Sequence, residues 1–375
     1  FTNYIQMKNS KNPHIAVIGL KGLPAFGGAA TVGENIIEQL KDKYYFTVYA
    51  VSSHTDLKTG EYNGYKQIVF KKIPFKRLNT LYYYILSALH AVFLGKYDLI
   101  HLHHRDAAFI MLLLKIRYKV IITTHGSFFI TPKWKKYSKY FSFNEKYFVK
   151  YANIITCVSK NEQRLYIENV GIEPIYIPNG INDDLKIIQR NESLKDYYIF
   201  FGAGRIIKTK GCEIMLKAFN ILNYKGKILI AGDLEQTIDY KNEILNLSKN
   251  LNVEFLGLIK DKKVLLNLLH NSKLFIFPSN KEAMSMMLLE AASVKTPIIC
   301  SDIIENKDIF NDKEVLFFKK DDEKDLADKI QWALVNYDEM LLKSERAYIK
   351  LKENYTWEKI ANEYSKLYDS LIYKN

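Results

Sequence analysis

The 375-residue chain has only three cysteines, Cys157, Cys212 and Cys300. They are far apart, odd in number and never in a CxxC pair. That excludes a disulfide scaffold and leaves them as small buried apolar groups in a reducing compartment. Proline (8) and glycine (17) are too sparse for a collagen-like or low-complexity chain. No apolar run reaches the roughly 20 residues of a bilayer span. The longest, Leu81 to Leu94, is interrupted by Ser87 and His90 and is expected to be a buried core helix. Residues 1–13 lack the apolar core of a secretory leader, and Met7 stands as an alternative start with 1–6 foreign. GxGxxG and GxxxxGK[ST] are both missing, which argues against a dinucleotide fingerprint and against a loop for the γ-phosphate of ATP.

What is present is an ordinary globular composition, 48% hydrophobic and 25% charged, with enough length for two domains. The charge is uneven. Residues 1–180 hold 24 Lys/Arg against 11 Asp/Glu, whereas residues 181–375 hold 30 of each, so the formal charge of +13 belongs to the first half. Either that half meets something anionic or it carries a solvated basic surface. Within 132–151, Lys133, Lys135, Lys136, Lys139, Lys146 and Lys150 alternate with Trp134, Tyr137, Tyr140, Phe141, Phe143, Tyr147, Phe148 and Tyr151. Three readings stay open: a helix on an anionic membrane surface, a core helix with its aromatic face inward, and a stacking platform for single-stranded nucleic acid.

Along the chain, short apolar runs alternate with helical patterns. IAVIG, VIIT and IITCV are Ile/Val-rich on both parities, as in strands covered on both faces of a parallel sheet. Helices are expected from about Thr31 to Lys41, at Asn79–Phe93, Asp106–Arg117 and Trp134–Lys150, and later at Met284–Val294 and Trp357–Ile372. The polar stretch Pro178 to Asp196 reads as a linker. The expected architecture is α/β, with two doubly wound Rossmann-like domains facing across a cleft. The boundaries are 1–184, 185–355 and a closing helix in 356–375 that crosses back to the first domain. Ligands of such sheets bind beyond the carboxyl ends of the strands.

Four constellations bear chemistry. In GLKGLPAFGGAATVGENI (19–36), Gly27 and Gly28 let backbone approach a ligand just before a helix N-terminus, which suits an anion. His101, His103, His104 and His125 lie at two strand ends. Structural hydrogen bonding is expected of His101 and His103, and ligand contact of His125, while a metal site is disfavoured for want of a nearby carboxylate or Cys at ligand spacing. GRIIKTKG (204–211) sets Arg205, Lys208 and Lys210 before another helix, an anion trap in which Arg grips a phosphate bidentately and Lys supplies a point charge. In FPSNKEAMSMMLLEAAS (277–293), Glu282 and Glu290 would be about 12 Å apart along one helix. Hydrolytic carboxylate pairs need about 5–9.5 Å. These two acids fit better at opposite ends of an extended ligand, with the backbone of Ala283 to Met286 on a phosphate between them.

Together these residues resemble the retaining glycosyltransferases of family 4, with the GT-B fold, over nearly the whole chain. Glu282 and Glu290 match the family's E-x7-E, and Arg205 and Lys210 match its G-R-x-x-x-x-K-G. Gly27 and Gly28 match its glycine loop and His125 its sugar-contacting histidine. VSK (158–160), IPNGI (177–181) and YTWEKIANEY (355–364) are also similar, and GLKGLPAFGG resembles a bacterial subgroup that includes rhamnosyltransferases of surface polysaccharide synthesis. Two motifs depart from the pattern: E-A-M-S replaces E-G-F-G, putting Ala283 and Ser285 where glycines are usual, and Gly126 follows His125 where an acid is usual.

The resemblance implies transfer of a sugar from a nucleotide-diphosphate donor, UDP on family grounds, to an acceptor hydroxyl with the anomeric configuration kept. Capsule, lipopolysaccharide or exopolysaccharide synthesis is the implied setting. Arg205, Lys210, Glu282 and His125 are the implied catalytic residues, and Gly27, Gly28, Ser285, Met286 and Glu290 join Arg205, Lys210 and Glu282 around the donor. No metal is expected, because cations do its work and no Asp-x-Asp triplet occurs. The expected partners are a carbohydrate or lipid-linked acceptor and an anionic membrane surface through 132–151, but no nucleic acid. The expected location is the cytoplasm or the inner face of the cell membrane. The rival readings are a sugar-nucleotide epimerase or hydrolase on the same fold and a non-catalytic scaffold subunit.

Overall fold

The computed structural model describes residues 12–25, 27–126, 146–182 and 198–373. The chain divides into two compact units. One comprises Phe1–Val158, Glu162–Ile177 and Trp357–Asn375, and the other Ser159–Asn161 and Pro178–Thr356. Most of the lysine–aromatic segment 132–151, and most of the expected linker, lie outside the described residues.

The first unit is built on β1 (His14–Lys21), β2 (Tyr45–Val51), β3 (Gly60–Tyr62), β4 (Tyr65–Phe70), β5 (Leu99–His103), β6 (Val120–Thr124), β7 (Ile154–Cys157) and β8 (Ile175–Tyr176). Their order is β3-β4-β2-β1-β5-β6-β7-β8. All neighbours run parallel except the β3–β4 hairpin. That hairpin turns at Asn63-Gly64, both with positive φ, the backbone a tight two-residue turn requires. The Ile/Val runs are buried on both parities, so helices cover both faces.

The last helix, Trp357–Ile372, completes this unit. It buries Trp357, Ile360, Ala361, Tyr364, Ser365 and Tyr368, a spacing that makes one helical face. Tyr44 donates to Asp369 Oδ1 at 2.6 Å, and Lys43 Nζ pairs with Asp369 Oδ2 at 2.6 Å.

Three sequence expectations need correction. The helix expected near Thr31 begins at Gly28, because Gly27 supplies the turn into it. The helix expected at Asp106–Arg117 is a 3-10 turn, Arg105–Ile110, followed by the short helix Met111–Leu114. Ala107, Ala108, Ile110, Met111 and Leu114 all sink into the core there, and the tighter turn winds them inward. The third concerns Leu81 to Leu94. The helix Lys76–Phe93 buries Tyr83, Tyr84, Ala88, Ala91 and Val92 but leaves Leu81, Ile85, Leu89 and Phe93 exposed. Its outward stripe is apolar as well, and among the described residues the rest of the unit covers the other face more fully.

The second unit carries β9 (Tyr198–Arg205), β10 (Lys227–Asp233), β11 (Asn252–Gly257), β12 (Leu274–Phe277), β13 (Ile298–Ser301) and β14 (Leu316–Phe318). Their order is β11-β10-β9-β12-β13-β14, with every pair parallel. This is the doubly wound arrangement expected, with helices on both faces. A core of Ile199, Phe201, Phe219, Ile230, Ile276 and Leu326 binds the sheet to its helices. The three cysteines are all buried and none is in a disulfide.

Candidate functional site

In each sheet the strand order reverses beside the first strand, at β1/β5 and at β9/β12. Within each unit, the crevice beyond the carboxyl ends of the strands at that reversal is where doubly wound sheets take ligands. Gly27 and Gly28 follow β1, Arg205 ends β9 with Lys208 and Lys210 after it, and Glu282 follows β12, while His125 follows the neighbouring β6.

In the second unit, Arg205 ends β9 and is exposed, and Lys208–Lys210 form one 3-10 turn. Gly211 follows with φ +67°, and a Cβ on it would lie 2.1 Å from the carbonyl oxygen of Pro278. Only glycine lets the two loops abut so closely. Asn280 N–H donates to Thr209 O at 3.0 Å across the same seam. This brings Lys210 Nζ to 2.5 Å from Glu282 Oε1, with both side chains largely withdrawn from solvent. By sequence pattern these two residues serve different parts of a ligand, whereas the fold joins them directly.

The helix expected at Met284–Val294 runs from Met286 to Ser293 with Ser285 as its N-cap, and the Ser285 hydroxyl makes no capping hydrogen bond. First-turn N–H groups left without a side-chain cap carry the positive end of the helix dipole. Glu290 is buried on this helix, and Ser293 Oγ donates to its carbonyl oxygen at 2.8 Å. Met287 packs over β9, its methyl 2.6 Å from where a Cβ on Gly202 would stand.

Sequence reasoning missed several neighbours. Asn179, in the IPNGI stretch, donates to Met284 O at 3.2 Å and so fixes the loop before the helix. Ser279 Oγ is buried without a partner among the described residues, while its carbonyl accepts from Ser301 Oγ. Glu305 is buried, accepts from Asn161 Nδ2 at 2.8 Å, and has its pKa pushed up by burial and by the nearby charge of Glu282. Asn179 stands in a recognisable motif. Glu305 has no sequence signal, since its place depends on where β13 ends.

In the first unit, Gly27 precedes the helix Gly28–Leu40 with φ +112°, and among the described residues a Cβ on Gly27 or Gly28 would meet no non-neighbouring atom within 4 Å. The helix start is therefore open, as an approaching ligand requires. His125 lies just past β6. Its Nε2 is 3.0 Å from His103 Nδ1, with the rings stacked at 5.3 Å. His103 in turn lies 4.0 Å, ring to ring, from His101. His101 is held from both sides, by Tyr368 OH at 2.7 Å and Thr123 Oγ1 at 2.7 Å.

Burial pushes the His101 pKa down to about 3 and those of His103 and His125 well below the usual value. All three rings are neutral at physiological pH, so each offers one donor and one acceptor. His101 and His103 are structural hydrogen-bonded histidines, as expected. Among the described residues no group of three or more His, Cys, Asp or Glu side chains could hold a metal ion.

Comparison with known proteins covers both units. The family model described as Glycosyltransferase Family 4 matches residues 26–185, and that described as Glycosyl transferases group 1 matches residues 183–351. An uncharacterised glycosyltransferase of Methanocaldococcus jannaschii is 27% identical over 93% of this chain and 96% of its own length. The capsular polysaccharide biosynthesis glycosyltransferase CapM of Staphylococcus aureus is 27% identical over 56% of this chain and 58% of its own. Among solved structures, sucrose-phosphate synthase from Thermosynechococcus elongatus superposes with a TM-score of 0.84 at 21% identity, covering 97% of this chain and 100% of that one. HepE of Anabaena, solved in complex with UDP-glucose, has a TM-score of 0.75 at 16% identity, with 95% and 99% covered.

Proposed function

Matched in both halves by glycosyltransferase family models, the chain is a glycosyltransferase of the GT-B fold, and we propose that it moves a sugar from a nucleoside-diphosphate donor to an acceptor hydroxyl with retention at the anomeric carbon. The observation that carries this reading is the Lys210–Glu282 pair at the β9/β12 crevice, beside a helix start with no side-chain cap. A diphosphate offers Lys210 a stronger partner than one carboxylate. Donor binding then draws Lys210 onto phosphate and frees Glu282 to accept from a sugar hydroxyl.

The difficult step is departure of the nucleoside diphosphate. As the anomeric C–O bond breaks, negative charge grows on the departing phosphate oxygens. Arg205, Lys210 and the N–H groups at Met286 are preorganised donors for that charge, which is where such groups contribute most. The acceptor hydroxyl loses its proton to the leaving phosphate on the same face, so no protein base is needed. Glu290 takes the ribose hydroxyls. On the first unit, the helix start at Gly27 and Gly28, without a side-chain cap, suits an anion, and the neutral His125 offers a donor and an acceptor without burying a charge. These cations serve in place of a divalent metal.

A UDP-sugar donor is favoured by the UDP-glucose complex of HepE. A carbohydrate or lipid-linked acceptor, and a place in surface polysaccharide synthesis, are favoured by the likeness to CapM. The test is a thermal-shift panel of UDP, GDP, dTDP and their sugars, followed by turnover of the sugars that bind. A ligand specific to the native state raises Tm by linkage. The reading is lost if no nucleotide or nucleotide sugar shifts Tm and none is consumed with any acceptor.

A further inference from the structure

The helix Lys76–Phe93 leaves one apolar face only partly covered in the described structure. From Leu78 to Gly95 the sequence contains no Asp, Glu, Lys or Arg. One face enters the core. The other presents Leu78, Leu81, Ile85, Leu89 and Phe93 at intervals of three or four residues, which is one stripe along the helix. Leu78 is 53% exposed and Phe93 is 70% exposed. The short helix Met111–Leu114 packs against this one, and Leu112 and Ile116 add to the exposed apolar surface. Scattered exposed leucines need no explanation, but a continuous stripe marks an interaction surface.

The charge around the stripe says what covers it. Residues 66–119 hold ten Lys/Arg and two Asp. Both acids are engaged within the unit: Asp98 accepts from His14 N–H at 2.7 Å, and Asp106 lies 3.8 Å from Arg105. Lys71 and Lys72 are exposed just before the helix, and Lys96 just after it. Arg117, also exposed, donates to Val92 O at 2.7 Å and so stands beside Phe93. An apolar stripe with cations at both ends matches an anionic lipid surface, acyl chains against the stripe and headgroups against the cations. A second copy of the chain would bring the same positive charge against itself.

We propose that this face of Lys76–Phe93 docks the protein on an anionic membrane, lying in the interface. Among the described residues no helix is long and apolar enough to cross a bilayer. This helix is a different stretch of sequence from the lysine–aromatic segment 132–151. Docking here would set the first unit against any lipid-borne acceptor, and it holds whichever sugar is moved.

The test is co-sedimentation of the full chain with vesicles of phosphatidylglycerol and phosphatidylcholine in equal parts, and with phosphatidylcholine alone. The comparison is with the triple variant Leu81→Ser, Ile85→Ser, Leu89→Ser. These side chains are 44%, 40% and 37% exposed, so circular dichroism should keep the helical signal while Tm falls modestly. The expected result is binding to the anionic vesicles, weakened several-fold by 0.5 M salt, and at least tenfold weaker binding by the variant. Should the variant lose structure, a solvatochromic dye on Leu89→Cys reads the same contact in a folded chain, because the native thiols are all buried. Its emission should shift to the blue on anionic vesicles, while dye on Val335→Cys should not shift.

Unchanged binding by the variant overturns the assignment, as does an unshifted dye at position 89. So does loss of binding only when Lys133, Lys135, Lys136 and Lys139 are replaced by Glu. A wild type that ignores vesicles but self-associates in sedimentation, with the variant monomeric, would make the stripe a protein interface instead. Because no arm reads turnover, failure here leaves the transfer reading standing.

Discussion

Lys210 Nζ and Glu282 Oε1 lie 2.5 Å apart across a sequence separation of 72 residues. Each side chain is the other's counter-charge before any donor arrives. Breaking the pair leaves a poorly solvated charge, and binding a diphosphate replaces one partner by a better one.

Lys210→Ala is expected to lower kcat by about a hundredfold to a thousandfold, roughly 3–4 kcal/mol of transition-state stabilisation, if it acts as other oxyanion donors do. Glu282→Gln should chiefly weaken sugar recognition. In the double variant the effects should be non-additive, because each single change strands the other group. Steady-state kinetics on all four proteins decide it, and strict additivity would mean that the pair does not act as a unit.

Glu290→Ala should raise the donor KM by about tenfold or more while changing kcat little, since ribose hydroxyls are held equally in ground and transition states. The same substitution should weaken UDP binding in calorimetry. Unchanged UDP affinity would remove Glu290 from the donor site.

Gly211→Ala is expected to destabilise the protein by about 1–3 kcal/mol, because alanine resists φ +67° and its Cβ meets the Pro278 carbonyl. Gly28→Ala, at an ordinary φ with open space, should leave Tm nearly unchanged. The pair of melting curves separates backbone strain from a simple loss of glycine.

His101 and His103 make stability depend on pH. Burial holds their folded pKa values below the unfolded value near 6.5, so the unfolded chain binds more protons in the window beneath it. The stability is complete above pH 6.5 and is lost as pH falls from there toward the folded pKa, which for His101 is about 3. Each ring should contribute about 1.4 kcal/mol per pH unit in that window. Denaturant unfolding between pH 7.5 and 4.5 should show the slope, and His101→Gln should flatten it by one ring's share. Imidazole C2–H resonances that titrate near pH 6.5 in the folded protein would contradict this.

Activity with the preferred donor should survive 10 mM EDTA, because the proposed charge stabilisation is by Arg205 and Lys210. Loss on chelation, restored by Mg2+ or Mn2+, would assign part of that work to a metal.

Much of the fold was legible. Runs such as IAVIG and VIIT, apolar on both parities, admit few solutions except a strand covered on both faces. Two alternating halves then give two doubly wound sheets. The Asn63-Gly64 turn could have revealed β3, but a three-residue strand is too short to show a period. The helix start at Gly28 was read late because glycine and alanine carry little amphipathic signal. By its sequence Leu81 to Leu94 reads as a buried core helix. Apolar periodicity reports what a face is, not whether other protein atoms cover it, and only the packed unit distinguishes Ala88 from Leu89.

The residue types at the site were decided by the sequence: cations before a helix, acids eight apart, glycines and histidine at strand ends. Their partnerships were decided by tertiary structure alone. Lys210 meets Glu282 because β9 and β12 are neighbours in the sheet although β10 and β11 separate them in the chain. His125 meets His103 because β5 and β6 pair in parallel, with their carboxyl ends together. Local sequence specifies a side chain's chemistry and the element it rides on, whereas contact across tens of residues is set by strand order, which is fixed only when the whole core packs.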